Sequence, residues 1–135
     1  MRKLWYSIAV LALFGALGFN ATAAQAGTAS PKAPAGFTLL AQKPSTKLGR
    51  FMVAKLWYNN DNHTVHAELT EQGWFIGMHI VVAVNHRAVV QGDGAGEGPI
   101  NTSEVLATNT MQACGWDDGV GGGNNQVCTD PVNAP

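Results

Sequence analysis

The segment Arg50–Thr70, RFMVAKLWYNNDNHTVHAELT, alternates apolar and polar residues with a period of two on both sides of Asn59-Asn60-Asp61-Asn62. Neighbouring residues of an extended strand point to opposite faces, so this period marks half-buried strands. Asn and Asp tolerate turn backbone and bond their own main chain, which makes the four-residue stretch a hairpin loop. Pairing outward from it sets Tyr58 opposite His63, Leu56 opposite Val65, Ala54 opposite Ala67 and Met52 opposite Leu69. That face is apolar. The other face couples Trp57 with Thr64, Lys55 with His66, Val53 with Glu68 and Phe51 with Thr70. Two strands that agree on one apolar face constrain the register more than either does alone. A helix over 62–72, capped by Asn62 and ended by Gly73, is the competitor. Val65 and Leu69 give it too few apolar positions for a packed stripe, so the strand is adopted.

The same choice decides whether His63-x-x-His66-x-Glu68 is a metal or catalytic site. On a helix, residues three apart are neighbours and the two imidazoles could share an ion. On a strand they project to opposite faces. His66 and Glu68 then share the mixed face with Lys55 and Thr64 as a polar cluster, and no metal is expected.

Trp74–Val84, WFIGMHIVVAV, is apolar at both parities and rich in β-branched residues, as in a central strand covered on both faces. Gly77 marks a bulge within it. His79 falls on an apolar face and reads as a satisfied core histidine. Asn85-His86 forms a tight turn into a strand over Arg87–Gln91, with a continuous bent strand as the alternative. Gly92–Pro99, GDGAGEGP, reads as a mobile surface loop. Its Asp93 and Glu97 fall short of the carboxylate set of a calcium loop, and no phosphate-loop pattern surrounds it. Asn101-Thr-Ser-Glu104 has the form of a helix cap, but the all-β setting favours a strand over Val105–Thr108. Phe37–Gln42 is a further short strand. The expected fold is all-β: a small antiparallel β-sandwich or open barrel of about five to seven strands.

The chain opens with Arg2 and Lys3, continues through the apolar run Ile8–Leu17, and reaches Ala24-Gln25-Ala26. This is the order of a secretory signal peptide with an A-x-A cleavage site. The run is too short for a membrane span, and Ile76–Val84 is about half the needed length. Residues 1–26 are therefore read as a leader, 27–36 as a flexible mature N-terminus, and 37–135 as one β domain. The expected address is secreted, extracellular or at the cell surface. About 109 residues remain after cleavage, enough for one small domain with a modest core.

Cys114 and Cys128 are the chain's two cysteines. An even count in an exported chain reads as a disulfide, which would close a loop of about 15 residues containing Gly119 and Gly121–Gly123. After the leader, all the basic residues precede position 88, whereas Asp93, Glu97, Glu104, Asp117, Asp118 and Asp130 follow it. No basic stripe is present, so nucleic acid is not an expected partner. The acidic tail is read as solvated.

No nucleophile constellation stands out, and Asp117-Asp118 lies in a glycine-rich loop that cannot hold carboxyls at fixed separation. The aromatic residues carry more. Trp57, with Lys55, His66 and Glu68 on the mixed hairpin face, offers an apolar plate ringed by hydrogen-bonding groups, as sugar or protein recognition needs. The alternative is a second layer covering Phe51, Val53 and Trp57. Trp116, beside Asp117 and Asp118 in the disulfide loop, is a second contact candidate. The expected ligand-binding residues are thus Trp57, Lys55, His66, Glu68 and Trp116, with no cofactor, and with an extracellular protein or carbohydrate as partner. A secreted enzyme inhibitor fits the same features, since a tied loop loses less entropy on binding. The rival from another class is a small metal-dependent hydrolase using His63, His66 and Glu68.

Leu56-Trp57-Tyr58-Asn59-Asn60, the step Gly98-Pro99-Ile100, and Cys114-Gly115-Trp116 followed by glycines and Cys128 resemble the layout of small secreted actinobacterial spore-associated proteins. Those carry a leader, a Tyr-Asn turn, a Gly-Pro-Val strand start and a Cys-x-x-Trp-Gly-Gly element. The similarity runs loosely from Leu56 to Cys128. The chain lacks the family's additional cysteine pair and shortens Cys-x-x-Trp to Cys-x-Trp. The resemblance implies a surface-associated role and no known chemistry.

Overall fold

The computed structural model describes residues 32–45, 51–72, 75–96, 98–118 and 125–135. The expected leader over residues 1–26, residues 27–31, Lys47, Arg50, Gly73, Trp74, Glu97 and Gly119–Gly123 lie outside the described residues, so the expectations that fall on them do too. Among the described residues there is no helix, and nine strands form two antiparallel sheets. They are β1 Phe37–Ser45, β2 Met52–Asn59, β3 Thr64–Glu71, β4 Phe75–Val84, β5 Arg87–Gly96, β6 Ile100–Asn101, β7 Val105–Leu106, β8 Met111–Asp117 and β9 Gln126–Cys128. This exceeds the expected five to seven because β6, β7 and β9 are only two or three residues long. The first sheet runs β1-β2-β3-β6, with β7 also on β3; the second runs β5-β4-β8-β9. The architecture is a sandwich and not a closed barrel.

The hairpin of β2 and β3 forms with the expected faces and a different register. Tyr58 lies opposite Val65, Leu56 opposite Ala67, Ala54 opposite Leu69 and Met52 opposite Glu71. The cause is the turn, which takes Asn60–His63. His63 adopts φ 57° and donates its N–H to the Asn59 carbonyl at 3.0 Å. Asn59 Oδ1 accepts from the Asp61 N–H at 3.0 Å, and Asn62 Oδ1 accepts from the Thr64 N–H at 3.3 Å. These side chains stand in for the backbone partners that a turn lacks. The slip is an even number of residues, so every side chain keeps its face.

Met52, Ala54, Leu56, Tyr58, Val65, Ala67 and Leu69 from the first sheet meet Met78, Ile80, Val82, Met111, Ala113 and Val127 from the second. This core is made by the alternate positions of both sheets. Gly115 lies on the core side of β8, where an added Cβ would stand 2.6 Å from Leu69 Cδ1. β4 is interior to its sheet, as its two-sided apolar sequence implies, and a bulge falls between Phe75 and Met78, where Gly77 sits. Asn85 (φ 49°) and His86 (φ 63°) make the tight turn from β4 to β5.

The glycine-rich stretch after Gln91 differs from the expected loop, because β5 continues to Gly96. Its glycines serve close approach. An added Cβ on Gly92 would stand 2.2 Å from the Asn101 carbonyl oxygen, and one on Gly94 would stand 2.3 Å from Ile100 Cγ2. The edge of the second sheet passes against β6 of the first only because these positions lack side chains. Between β6 and β7, buried Thr102 bonds Ala67 through both its backbone N–H and its hydroxyl, each at 3.0 Å.

Cys114 and Cys128 form the expected disulfide. They stand directly opposite each other on β8 and β9, with 4.0 Å between their Cα atoms. Their parity, opposite to that of core residues Ala113 and Val127, puts the bond on the outer face of the second sheet. The bond is compatible with an oxidising, extracellular setting. Among the described residues no helix is long and apolar enough to cross a membrane.

Candidate functional site

Each sheet turns a polar face away from the core. On the first, β2 and β3 place Lys55 opposite Glu68, and Trp57 opposite His66. Lys55 Nζ is ion-paired with Glu68 Oε1, which also accepts from Thr70 Oγ1 at 3.0 Å. Trp57 Nε1 donates to Glu68 Oε2 at 3.2 Å, and Lys55 Nζ stands 5.9 Å from the Trp57 ring centroid. The residues expected from sequence are therefore neighbours, but they are turned inward on one another. Trp57 is only 1% exposed, and the side chains of Lys55 and Glu68 are 12% and 16% exposed. No free indole plate is offered there. β2 is an interior strand, with Leu39 and His66 directly beside Trp57 on its two neighbours.

His66 stands edge-on to Phe37, with ring centroids 5.0 Å apart. Burial lowers its pKa from the ordinary value against the opposing pull of Glu104 and Glu68, which favours a neutral ring. His63, in the turn, shares a 2.5 Å hydrogen bond with the hydroxyl of core residue Tyr58. The two imidazoles engage different faces of the hairpin and do not converge. Among the described residues no group of three or more His, Cys, Asp or Glu side chains is placed to hold a metal ion.

The second sheet carries an arrangement that the sequence reading did not assemble. Asp93 on β5, His79 on β4, Trp116 on β8 and Gln126 on β9 are consecutive cross-strand partners. They form one straight row across all four strands, about 14 Å from end to end at the usual strand spacing. The His79 and Trp116 rings stack 5.1 Å apart with 20° between their planes. His79 Nδ1 lies 2.5 Å from Asp93 Oδ1, and Nε2 lies 3.1 Å from Asp118 Oδ2. Gln91 Nε2 donates to the same Asp93 oxygen at 2.6 Å. Partial burial pulls the His79 pKa down, but the hydrogen bonds and charges of Asp93 and Asp118 outweigh it, and the net shift is upward from 6.5. The hydrogen bonds from Gln91 and His79 lower that of Asp93.

His79 is thus partly exposed rather than a core histidine. Its neighbours Val81 and Ala83 on the same face are buried, so only the His79 end of that face opens. The chemistry of the row follows from its partners. With a carboxylate on each nitrogen, the imidazolium form of His79 has both N–H groups engaged and no lone pair with which to take a proton. Trp116, Gln91, Gln126 and the outer carboxylate oxygens provide an aromatic surface ringed by donors and acceptors. Glycine reads as a loop former, and even a plain extension of β5 from the two-residue turn would set Gly92 opposite His79. The bulge between Val82 and Ala83 shifts the register by one and brings Asp93 there, which no sequence pattern signals.

No family profile, curated protein or solved structure matches the chain. What fold and site define is a class: an all-β sandwich of two antiparallel sheets, locked by a cross-strand disulfide, with a polar and aromatic row beside the lock.

Proposed function

We propose that the protein is a secreted, non-enzymatic contact protein of the cell or spore surface, which binds an extracellular carbohydrate or protein through the outer face of its second sheet. The observation that carries this reading is the row Asp93–His79–Trp116–Gln126. It sets one indole among amides and carboxylates on rigid strands, the composition that recognition sites use to orient a partner. The disulfide lies one row away and stiffens β8 against β9, which cuts the entropy lost on binding. The leader-like first 26 residues and the resemblance to spore-associated proteins support a contact made outside the cell. In this reading Trp116 replaces Trp57 as the contacting aromatic.

The test is retention of the purified protein on intact cells and cell-wall material of the producing organism. Wild type is expected to sediment with the wall fraction, and Trp116→Ala to lose at least tenfold in binding while keeping its circular dichroism. Equal retention of the two proteins would remove this face from the function.

A further inference from the structure

We propose that Asp93, His79 and Asp118 form a protonation-dependent clasp that joins β5 to the end of β8 across β4 and holds Trp116 against the His79 ring. An imidazolium has two N–H donors, and here each faces a carboxylate oxygen, at 2.5 Å and 3.1 Å. A neutral imidazole has one. In either tautomer the other nitrogen would point a lone pair at a carboxylate oxygen, and that arm must open.

Geometry selects the arm. Asp93 Oδ1 is held by Gln91 as well as by the shorter contact to His79, whereas Asp118 Oδ2 makes the longer one. Asp118 is therefore the arm released on deprotonation. It nevertheless has a shaped seat. Its backbone N–H donates to the Gly77 carbonyl at 3.1 Å. A Cβ on Gly77 would lie 2.4 Å from Asp118 Oδ2, so the carboxylate occupies space that only glycine leaves open. The stacked indole adds a preference for the charged ring, because a π-face attracts a cation.

Among the described residues, the charged groups facing His79 are Asp93 from β5 and Asp118 beyond β8. β8 otherwise presents Trp116, β9 presents Gln126, and β4 itself presents Gly77 and Val81 on that face. The upward shift of His79 fixes the sign. The clasp contributes fully below the ordinary histidine value of 6.5 and is lost as pH rises through the higher folded value. The clasp stands without any partner. If the contact reading also holds, the surface around Trp116 is set while His79 is protonated and loosened once it loses its proton.

The experiment is a ring-proton NMR titration of the purified, disulfide-intact protein. His79 is expected to titrate above 6.5 and above His66, and Asp118→Asn to lower its pKa by about one unit, since one neighbouring carboxylate shifts a pKa by that order. Gly77→Ala removes no charge yet displaces the carboxylate, so it is expected to lower the value in the same direction. Trp116 emission, taken as the difference from Trp116→Phe, should follow the His79 midpoint and lose its pH dependence in His79→Gln. A His79 pKa at or below 6.5, an unchanged value in Asp118→Asn, or Trp116 emission indifferent to that midpoint would each overturn the clasp. None of these readouts involves binding, so failure of the contact reading leaves them intact.

Discussion

Trp57 donates its indole N–H to Glu68, and the carboxylate that receives it also holds Lys55. Residues that form an apolar plate ringed by charge in the sequence thus satisfy one another within the first sheet. Removing the carboxylate strands an ammonium that is only 12% exposed. Glu68→Ala is therefore expected to destabilise by about 3 kcal/mol, the scale for breaking a mostly buried pair from one side. The double replacement Lys55→Met/Glu68→Leu should recover part of that loss, because neither charge then remains to be desolvated while the Trp57 N–H still lacks its acceptor. Urea unfolding of the three proteins measures both.

Gly92 and Gly94 predict a second kind of sensitivity. An added methyl at 92 meets a backbone carbonyl, which cannot rotate away as a side-chain tip can. Gly92→Ala is expected to cost about 1–3 kcal/mol, the range for overpacking, with the strain falling on the contact between β5 and β6. Gly98→Ala has open space around its Cβ, but Gly98 sits at φ 110°, so its cost is one of backbone conformation and not of contact. Thermal unfolding of both, with amide exchange at Asn101 and Thr102, separates the two causes.

These glycines also explain where the sequence could and could not be read. Alternation over Met52–Glu71 was legible because one face of each strand is buried, and an even slip in register left every face correct. The two-sided run in β4 was legible because both of its faces are covered along Ile80–Ala83. Gly92 and Gly94 were misread because glycine has two uses, turning the chain and letting another backbone approach. Only the position of β6 distinguishes them, and that is a tertiary fact. The role of His79 went with it, since its partner Asp93 lies in the misread segment. Trp57 shows the complementary limit: parity gives a residue's face but not what neighbours it there.

The turn from β4 to β5 holds two non-glycine residues at positive φ, Asn85 at 49° and His86 at 63°. Two-residue hairpin loops with both residues left-handed favour Asn-Gly, because a Cβ at the second position costs steric energy. Asn85 is already suited to its place. His86→Gly is expected to stabilise the protein by about 0.5–1 kcal/mol, the steric relief less the entropy that glycine adds to the unfolded chain. A higher melting temperature with unchanged circular dichroism is the expected outcome, and a lower one would mean that the imidazole contributes contacts worth more than the relief.

The bridge between Cys114 and Cys128 closes a sequence separation of 14. Chain entropy alone assigns about 3 kcal/mol to a loop of this size. Reduction is expected to lower the urea midpoint accordingly without a large change in slope, because β8 keeps its pairing with β4 and remains in the core. Mass spectrometry of the unreduced protein should show two hydrogens fewer than the free-thiol form. Two free thiols in protein recovered from the medium would refute the bridge.

Glu104 provides a pH prediction of opposite sign to that of His79. Its carboxylate accepts from Thr64 Oγ1, from Asn62 Nδ2 at 3.1 Å and from Asn59 Nδ2 at 3.3 Å, and so ties the approach to β7 onto the turn between β2 and β3. The hydrogen bonds from Thr64 and then Asn62 lead in lowering its pKa below the ordinary 4.5. A carboxyl depressed in the folded state contributes stability above its unfolded value and loses it as pH falls through the folded one. Wild type is therefore expected to lose stability below about pH 4.5 more steeply than Glu104→Gln, with the two curves running parallel above that point. The same substitution should raise amide exchange at Thr64 and Ala107, whose N–H groups bond to Asn62 Oδ1 and the His63 carbonyl within the tied region. Parallel acid-denaturation curves down to pH 3 would show that the turn does not depend on this carboxylate's charge.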